Sequence, residues 1–385
     1  MRTGPLLAGL VAAAMISGCS TIGSAIDAIN PFKSEPKVKM AELEAIKPTA
    51  ELKRLWQASV GPAGDYEFTP AVVGGSTYAA SADGVIVRID EGRERWRIKA
   101  GQKLSGGVGA SDALVVVGTP KGEVLAFAAA DGKPAWQARV GSEVLSAPIL
   151  GADAVVVRSG DNRIYALDPA DGKRRWIYQR ATPPLSLRSN VGVTLTERAI
   201  LAGFPGGKLV AINPANGAAV WEGTVALPRG ATELERMADV TSNPVTDGRV
   251  VCSVAYQGRV ACFDLNNGSG LWARELSSSA GMAMSGRYVY VTDDKGAVHA
   301  FDSASGASIW KQDKLFMRGV TRPVPVGDHV LVGDVRGVVH LLRREDGAFA
   351  ARYTTDNSAI IGDPQFAGGA VVVQTRNGGV LALTP

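Results

Sequence analysis

Gly122-Glu-Val-Leu-Ala-Phe-Ala-Ala-Ala-Asp-Gly-Lys-Pro-Ala-Trp136 is one copy of a phrase that begins again at Gly84, Asn162, Gly207, Gly258, Gly296 and Gly337. The seven tryptophans of the 385-residue chain fall at 56, 96, 136, 176, 221, 272 and 310, and each after the first closes a copy. An eighth copy, Gly379-Val-Leu-Ala-Leu383, runs into the C-terminus. A period near 40 residues is the signature of a repeat architecture.

Within a copy, the glycine leads into a run such as Ile164-Tyr165-Ala166-Leu167-Asp168, whose β-branched and aromatic residues suit a strand packed on both faces. Asp171-Gly172, Asn216-Gly217, Asn267-Gly268, Ser305-Gly306 and Asp346-Gly347 then supply residues that accept positive φ, so the chain reverses into a second strand ending at the tryptophan. Two further strand-like runs lie upstream, for example Ala147–Leu150 and Ala154–Val157. Four antiparallel strands per repeat make a propeller blade, and the spacing predicts an all-β, eight-bladed β-propeller over residues 51–385. Trp56 has no preceding phrase and Gly379 no following tryptophan, so a strand at about 52–60 is expected to complete the last blade and close the ring. The tryptophans are read as blade-to-blade packing. Ala351 stands where the seventh copy would carry one, which predicts a weaker contact there.

Residues 1–18 read as a lipoprotein signal peptide: Arg2, an apolar run Leu6–Ile16 too short to span a bilayer, and Ile16-Ser17-Gly18-Cys19, which looks like a lipobox. Cleavage before Cys19 would leave a lipidated cysteine; an ordinary secretory leader that happens to end near a cysteine is the alternative. Lipoproteins that resemble this carry several acyl chains, enough for firm anchoring. Ser20, rather than Asp, follows the cysteine, and by that resemblance the destination is the periplasmic face of the outer membrane. Residues 19–50 are expected to be the lipidated N-terminus and a flexible spacer reaching roughly 30 Å, with a helical turn at Met40–Ile46. The net charge of +4 comes without a basic block, so no nucleic-acid partner is expected. Cys252 and Cys262 flank a three-residue turn; a disulfide and two free buried thiols are both open.

Neither a catalytic residue nor a metal or cofactor site is expected. His299 and His340 hold equivalent places in two copies and read as repeat drift, and His329 lies near a turn. The departure that carries information is loop length. From Trp176 to Gly207 and from Trp221 to Gly258 the chain takes 31 and 37 residues, the two longest intervals. Both insertions belong to connections between an outer strand and the next inner strand, and so lie side by side on one face. The first contains Thr182-Pro-Pro-Leu-Ser-Leu-Arg-Ser189, kept extended by its prolines. Leu185 and Leu187 either stand exposed as a protein-binding patch or fold back to cap the ring. The second insertion holds Arg229 through Asp239, including Arg236.

The phrase Gly-x-x-x-Ala-Leu-Asp-x-x-x-Gly-x-x-x-Trp resembles the repeat of the pyrroloquinoline-quinone enzyme propellers, without their long insertions or vicinal cysteines. Leu185-Ser-Leu-Arg188 and Asp239-Val-Thr-Ser-Asn-Pro244, with the lipobox and spacer, resemble the BamB family of outer-membrane assembly lipoproteins across the mature chain. That resemblance implies a non-catalytic scaffold that binds the periplasmic POTRA domains of BamA and helps insert β-barrel proteins, with unfolded barrel clients as further partners. It places contacts on Leu185, Leu187 and Arg188, and on Asp239; Arg236 joins them by its place in the long insertion. Ser189 departs from the glycine common in the family. The rivals are a periplasmic quinoprotein oxidoreductase and a scaffold of another envelope complex.

Overall fold

The protein is described, as a computed structural model, over residues 39–385; the expected leader, Cys19 and the spacer through residue 38 lie outside the described residues. Among the described residues, thirty-two strands form eight antiparallel sheets of four. Blade 1 is β2–β5 (Ala71–Lys99), blade 2 β6–β9 (Gly106–Arg139), blade 3 β10–β13 (Ile149–Tyr178) and blade 4 β14–β17 (Thr194–Thr224). Blade 5 is β18–β21 (Val245–Glu275), blade 6 β22–β25 (Gly281–Gln312) and blade 7 β26–β29 (Val324–Thr354). Blade 8 takes β30–β32 (Ile360–Thr384) and receives β1 (Lys53–Ser59) as its outermost strand, antiparallel to β32 from Lys53↔Thr384 to Ser59↔Gly379. The expected closure at about 52–60 is therefore found.

Burial grades across each blade. The second and third strands are mostly buried, and Val155–Arg158 and Ile164–Leu167 throughout, because neighbouring blades cover both faces. The outer strands, such as β1, alternate between exposed and half-buried residues, since one edge and part of one face meet water. The core is accordingly a series of apolar clusters between blades, for example Val156, Ile164, Trp176, Ile200 and Phe204.

The tryptophans join the blades by a repeated contact. In six of the seven, the indole Nε1 donates to a backbone carbonyl of the next blade: Trp96 to Ala129 (3.0 Å), Trp136 to Pro169 (2.8 Å), Trp176 to Pro214 (2.8 Å), Trp221 to Leu265 (2.9 Å), Trp272 to Ser303 (2.8 Å) and Trp310 to Arg344 (2.8 Å). The ring lies on the glycine of that blade's third-to-fourth turn. A Cβ on Gly217, for instance, would stand 2.6 Å from the Trp176 ring. These glycines thus meet two demands at once, a positive φ (+74° at Gly217) and an empty face for the indole.

Ala351 is explained by the closure. Blade 8 gets its outer strand from the N-terminus, so it has no covalent third-to-fourth turn for a tryptophan to lie on. Residues before β1 fill the place instead: Thr49 and Ala50 N–H both reach the Ala350 carbonyl (2.9 and 3.2 Å), and Leu52 is buried beside Ala350 and Ala351. The chain from Met40 to Ala50 is not a free spacer and forms no helical turn; it is an irregular strap laid over blades 6 and 7. Ala41 N–H donates to the Phe316 carbonyl (2.9 Å), the Ala41 carbonyl accepts from Arg318 Nη1 (2.9 Å), and Leu43 packs on the blade 6 cluster.

Arg318 is itself buried against Asp334 (Nε–Oδ2 2.6 Å), which also meets His340 Nε2 at 3.1 Å. His299 meets Asp293 in the same way at 2.9 Å. The two histidines are therefore not drift. Each is matched to an aspartate six residues upstream, where other copies have Ser81, Thr119 or Ser159, and the paired change is visible in the sequence once both positions are read together. Cys252 and Cys262 face each other across β19 (Val250–Val254) and β20 (Arg259–Asp264) with Cα atoms 4.0 Å apart and are joined in a disulfide.

The tryptophan contact makes a prediction. Gly217→Ala meets both the indole and the backbone restriction, whereas Gly248→Ala, at φ +90° with no atom within 4 Å, meets only the second. Thermal or urea unfolding is expected to show Gly217→Ala less stable than Gly248→Ala by about 1–3 kcal/mol; equal losses would mean that the glycines serve turn geometry alone.

Candidate functional site

Outer-to-inner connections and second-to-third turns share one side of the ring, the loop face; Met317 N–H bonding the Lys295 carbonyl (2.6 Å) is one such neighbouring pair. The two long connections, residues 179–193 between β13 and β14 and residues 225–244 between β17 and β18, lie together on this face. They are joined through Asp239. Its carboxylate, almost fully buried, accepts from Leu187 N–H (2.7 Å) in the first loop and from Gly206 N–H (3.1 Å) in the turn of blade 4. Tyr256 N–H bonds the Asp239 carbonyl (2.8 Å), which adds the turn of blade 5. Beneath it Arg158 is buried, with its guanidinium on the Gly203 carbonyl (2.6 Å) and Asn162 Oδ1 (2.7 Å). Burial pushes Arg158 down to about 10 while Asp239 opposes the shift, so it stays charged at neutral pH and balances the carboxylate.

The tip of the first loop is held at two more points. Arg188 grips Glu143 of the preceding connection with two bonds of 2.8 Å. This hydrogen-bonded arginine holds the Glu143 carboxyl below its usual range. The Arg188 side chain is nonetheless 61% exposed, and a pair this open contributes little to stability. Further on, Asn190 Nδ2 donates to Glu67, on the connection that follows β1.

The two leucines divide between the alternatives left open by their spacing. Leu185 is 39% exposed, an apolar side chain offered to solvent. Leu187 is half-buried and turns inward, over a hollow of about 420 Å³ that Tyr66, Leu145 and Tyr256 also line. Arg236 is exposed at the edge of the second insertion, in a turn where the Glu235 carboxylate accepts from Ala231 and Thr232 N–H (2.7 and 3.1 Å). Asp239 is set apart from the others: it positions both loops from beneath and offers no surface.

Sequence reading did not single out Leu227 and Leu234, which are 57% and 64% exposed and add apolar surface to the second insertion. The signal was available, since both stand in the longest interval. It also missed Glu143 and Glu67, whose partners lie 45 and 123 residues away and are brought near only by the ring.

Behind the loop, the inner strands line a central cavity of about 540 Å³. Among the described residues there is no group of three or more His, Cys, Asp or Glu placed to hold a metal ion. His299 and His340 are occupied by their aspartates within the blades. The face presents an apolar and charged surface on rigid supports, an arrangement suited to binding another protein.

Two substitutions separate support from surface. Asp239→Ala leaves the Leu187 and Gly206 amides without their acceptor, and hydrogen exchange at Leu187 is expected to rise by at least about tenfold; unchanged protection would remove Asp239 from its supporting role. Glu67 keeps part of its surface in water, but the atoms crowding its carboxyl at the mouth of the central cavity desolvate it and raise it above the usual carboxylate range, helped by Asp363 and against the pull of Arg376 and Asn190. Its ionisation therefore destabilises the fold at high pH and not below the unfolded pKa. Glu67→Gln is expected to raise Tm at pH 8, with the gain vanishing towards pH 4; a gain independent of pH would contradict this.

Residues 82–312 and 314–385 match the family model described as outer membrane protein assembly factor BamB. The outer membrane protein assembly factor BamB of Nitrosomonas eutropha is 43% identical over 378 residues, covering 96% of this chain and 92% of its own. The crystal structure of BamB from Moraxella catarrhalis superposes with a TM-score of 0.81 at 27% identity, covering 87% of this chain and all (100%) of that one. The quinohemoprotein alcohol dehydrogenase of Comamonas testosteroni shares the fold alone, with a TM-score of 0.69 at 14% identity, covering 86% of this chain and 76% of that one. With its eight blades closed by the N-terminal strand and its whole propeller matched, the chain belongs to the BamB family of outer membrane protein assembly factors.

Proposed function

We propose that this chain is a non-catalytic scaffold lipoprotein of the β-barrel assembly machinery. In this reading residues 1–18 are removed, Cys19 is acylated, and the propeller is held at the periplasmic face of the outer membrane. It docks on the periplasmic POTRA domains of BamA through Leu185, Leu187 and Arg188, with Arg236 at the rim and Asp239 beneath. Unfolded barrel clients are further candidates for contact, through the open edges of the outer strands.

The observation that carries the reading is the construction of the first loop. A flexible loop that ordered on binding would lose conformational entropy at that step; this one is already fixed by Asp239, Glu143 and Glu67, so most of that cost is met on folding. It presents Leu185 outward and an arginine whose present partner is readily exchanged. An apolar centre with a charged rim is what a specific protein interface requires.

Affinity purification from solubilised envelopes tests it directly. The wild type is expected to recover BamA, and a Leu185→Ala, Leu187→Ala, Arg188→Ala variant with an unchanged melting curve to lose at least about tenfold. Recovery by both would move the contact off this loop, and recovery by neither would overturn the partner. Cys19→Ala is expected to release the protein into the soluble periplasmic fraction; retention in washed membranes would mean that protein contacts hold it there.

A further inference from the structure

The strap fixes where the chain leaves the ring. It meets β1 near Ala350, close to the face opposite the loops, and runs across the rim to Ala41, which is bonded to Phe316 in the connection between blades 6 and 7. The chain therefore departs at residue 40 from the loop face, three blades round from the Leu185 loop. Only residues 20–39 separate that point from Cys19.

The surface at this corner carries three partly exposed apolar side chains. Phe316, Met317 and Val335 are 38%, 40% and 40% exposed. They are close neighbours. Val335 N–H bonds the Arg318 carbonyl (3.1 Å), and a Cβ on Gly319 would stand 2.4 Å from Val335 Cγ1, so the glycine lets the valine lie against the loop. Met317 keeps a φ of +55°, a region unfavourable to any side chain, at the tip of the loop. Lys295 and Arg336 are exposed on either side. Of the nearby acids, Glu44 is bonded by Lys314 (2.7 Å), and Asp294 is engaged by Ser277 and Ser279.

We propose that Phe316, Met317 and Val335 form a membrane-contact site that enters the headgroup layer of the bilayer holding the anchor. The proposal rests on the lipid-anchored reading above. Three apolar side chains would bind a bilayer only weakly alone, but a short tether converts the encounter into an intramolecular one and makes weak contacts count. Lysine and arginine beside them suit an anionic lipid surface. The occupant is the bilayer because the tether begins at this corner and keeps it within reach. The strap thereby sets the orientation of the ring as well as its distance: the loop face turns towards the membrane.

The test uses the mature chain from residue 20, with an N-terminal hexahistidine tag, bound to vesicles of phosphatidylethanolamine and phosphatidylglycerol containing a nickel-chelating lipid. An environment-sensitive fluorophore is placed at Asp313→Cys, beside the patch, or at Phe366→Cys on the opposite face, and nitroxide-labelled lipid is the quencher. Quenching at 313 is expected to exceed that at 366 by at least about twofold and to fall to the 366 level when Phe316→Asp and Val335→Asp are added. Equal quenching at the two faces, or a contrast that survives the double substitution, would overturn the site. Because the chelating lipid replaces the native anchor, this result does not depend on acylation. Failure of the natural full-length protein to float with vesicles would count against the anchor reading instead.

Discussion

The indole of one blade lying on the turn glycine of the next is the contact on which the architecture depends. It recurs six times with a hydrogen bond to the following blade, from Trp96 to Trp310, and it ties the outer strand of one sheet to the hairpin of its neighbour. Blades joined in this way cannot be removed singly without exposing two apolar faces. The ring has to close on itself, and β1 closes it.

Closure has a consequence for the N-terminus. The blade that borrows its outer strand has no third-to-fourth turn, so the preceding blade has no turn glycine on which to lay an indole, and Ala351 occupies the position. The vacated volume is taken by Thr49, Ala50 and Leu52, which brings the strap against the rim and delivers the chain to the loop face. One topological fact thus connects a missing tryptophan, an ordered strap and the place where the described chain leaves the ring. The buried Arg318–Asp334–His340 group serves the same end, because Arg318 also holds the Ala41 carbonyl.

Much of this was legible in the sequence. A period of one strand-turn-strand phrase fixed blade number, strand type and closure, since each rests on local pattern and counting. The long intervals after Trp176 and Trp221 pointed to the face that carries the candidate site. What could not be read was contact between residues far apart in the chain. Leu185 and Leu187 are spaced alike, yet one is exposed and the other lines a hollow with Tyr66, because Asp239 fixes the backbone between them. The strap looked like spacer for the same reason: Pro, Glu and Lys suggest a solvated coil, and only the ring shows that Ala41, Leu43 and Ala50 have partners. Asp293 and Asp334 were missed because the two histidines were compared with each other, not with the residues six positions before them.

The central claim is that this ring acts by presenting its loop face to a protein partner. Hydrogen-exchange mass spectrometry of the propeller, alone and saturated with the periplasmic POTRA region of BamA, tests it most directly. The account predicts new protection confined to residues 182–193 and 227–239, with the opposite-face turns at Asn216-Gly217 and Asn267-Gly268 unchanged. Protection at those turns, or along the outer strands with the two loops unaffected, would contradict it.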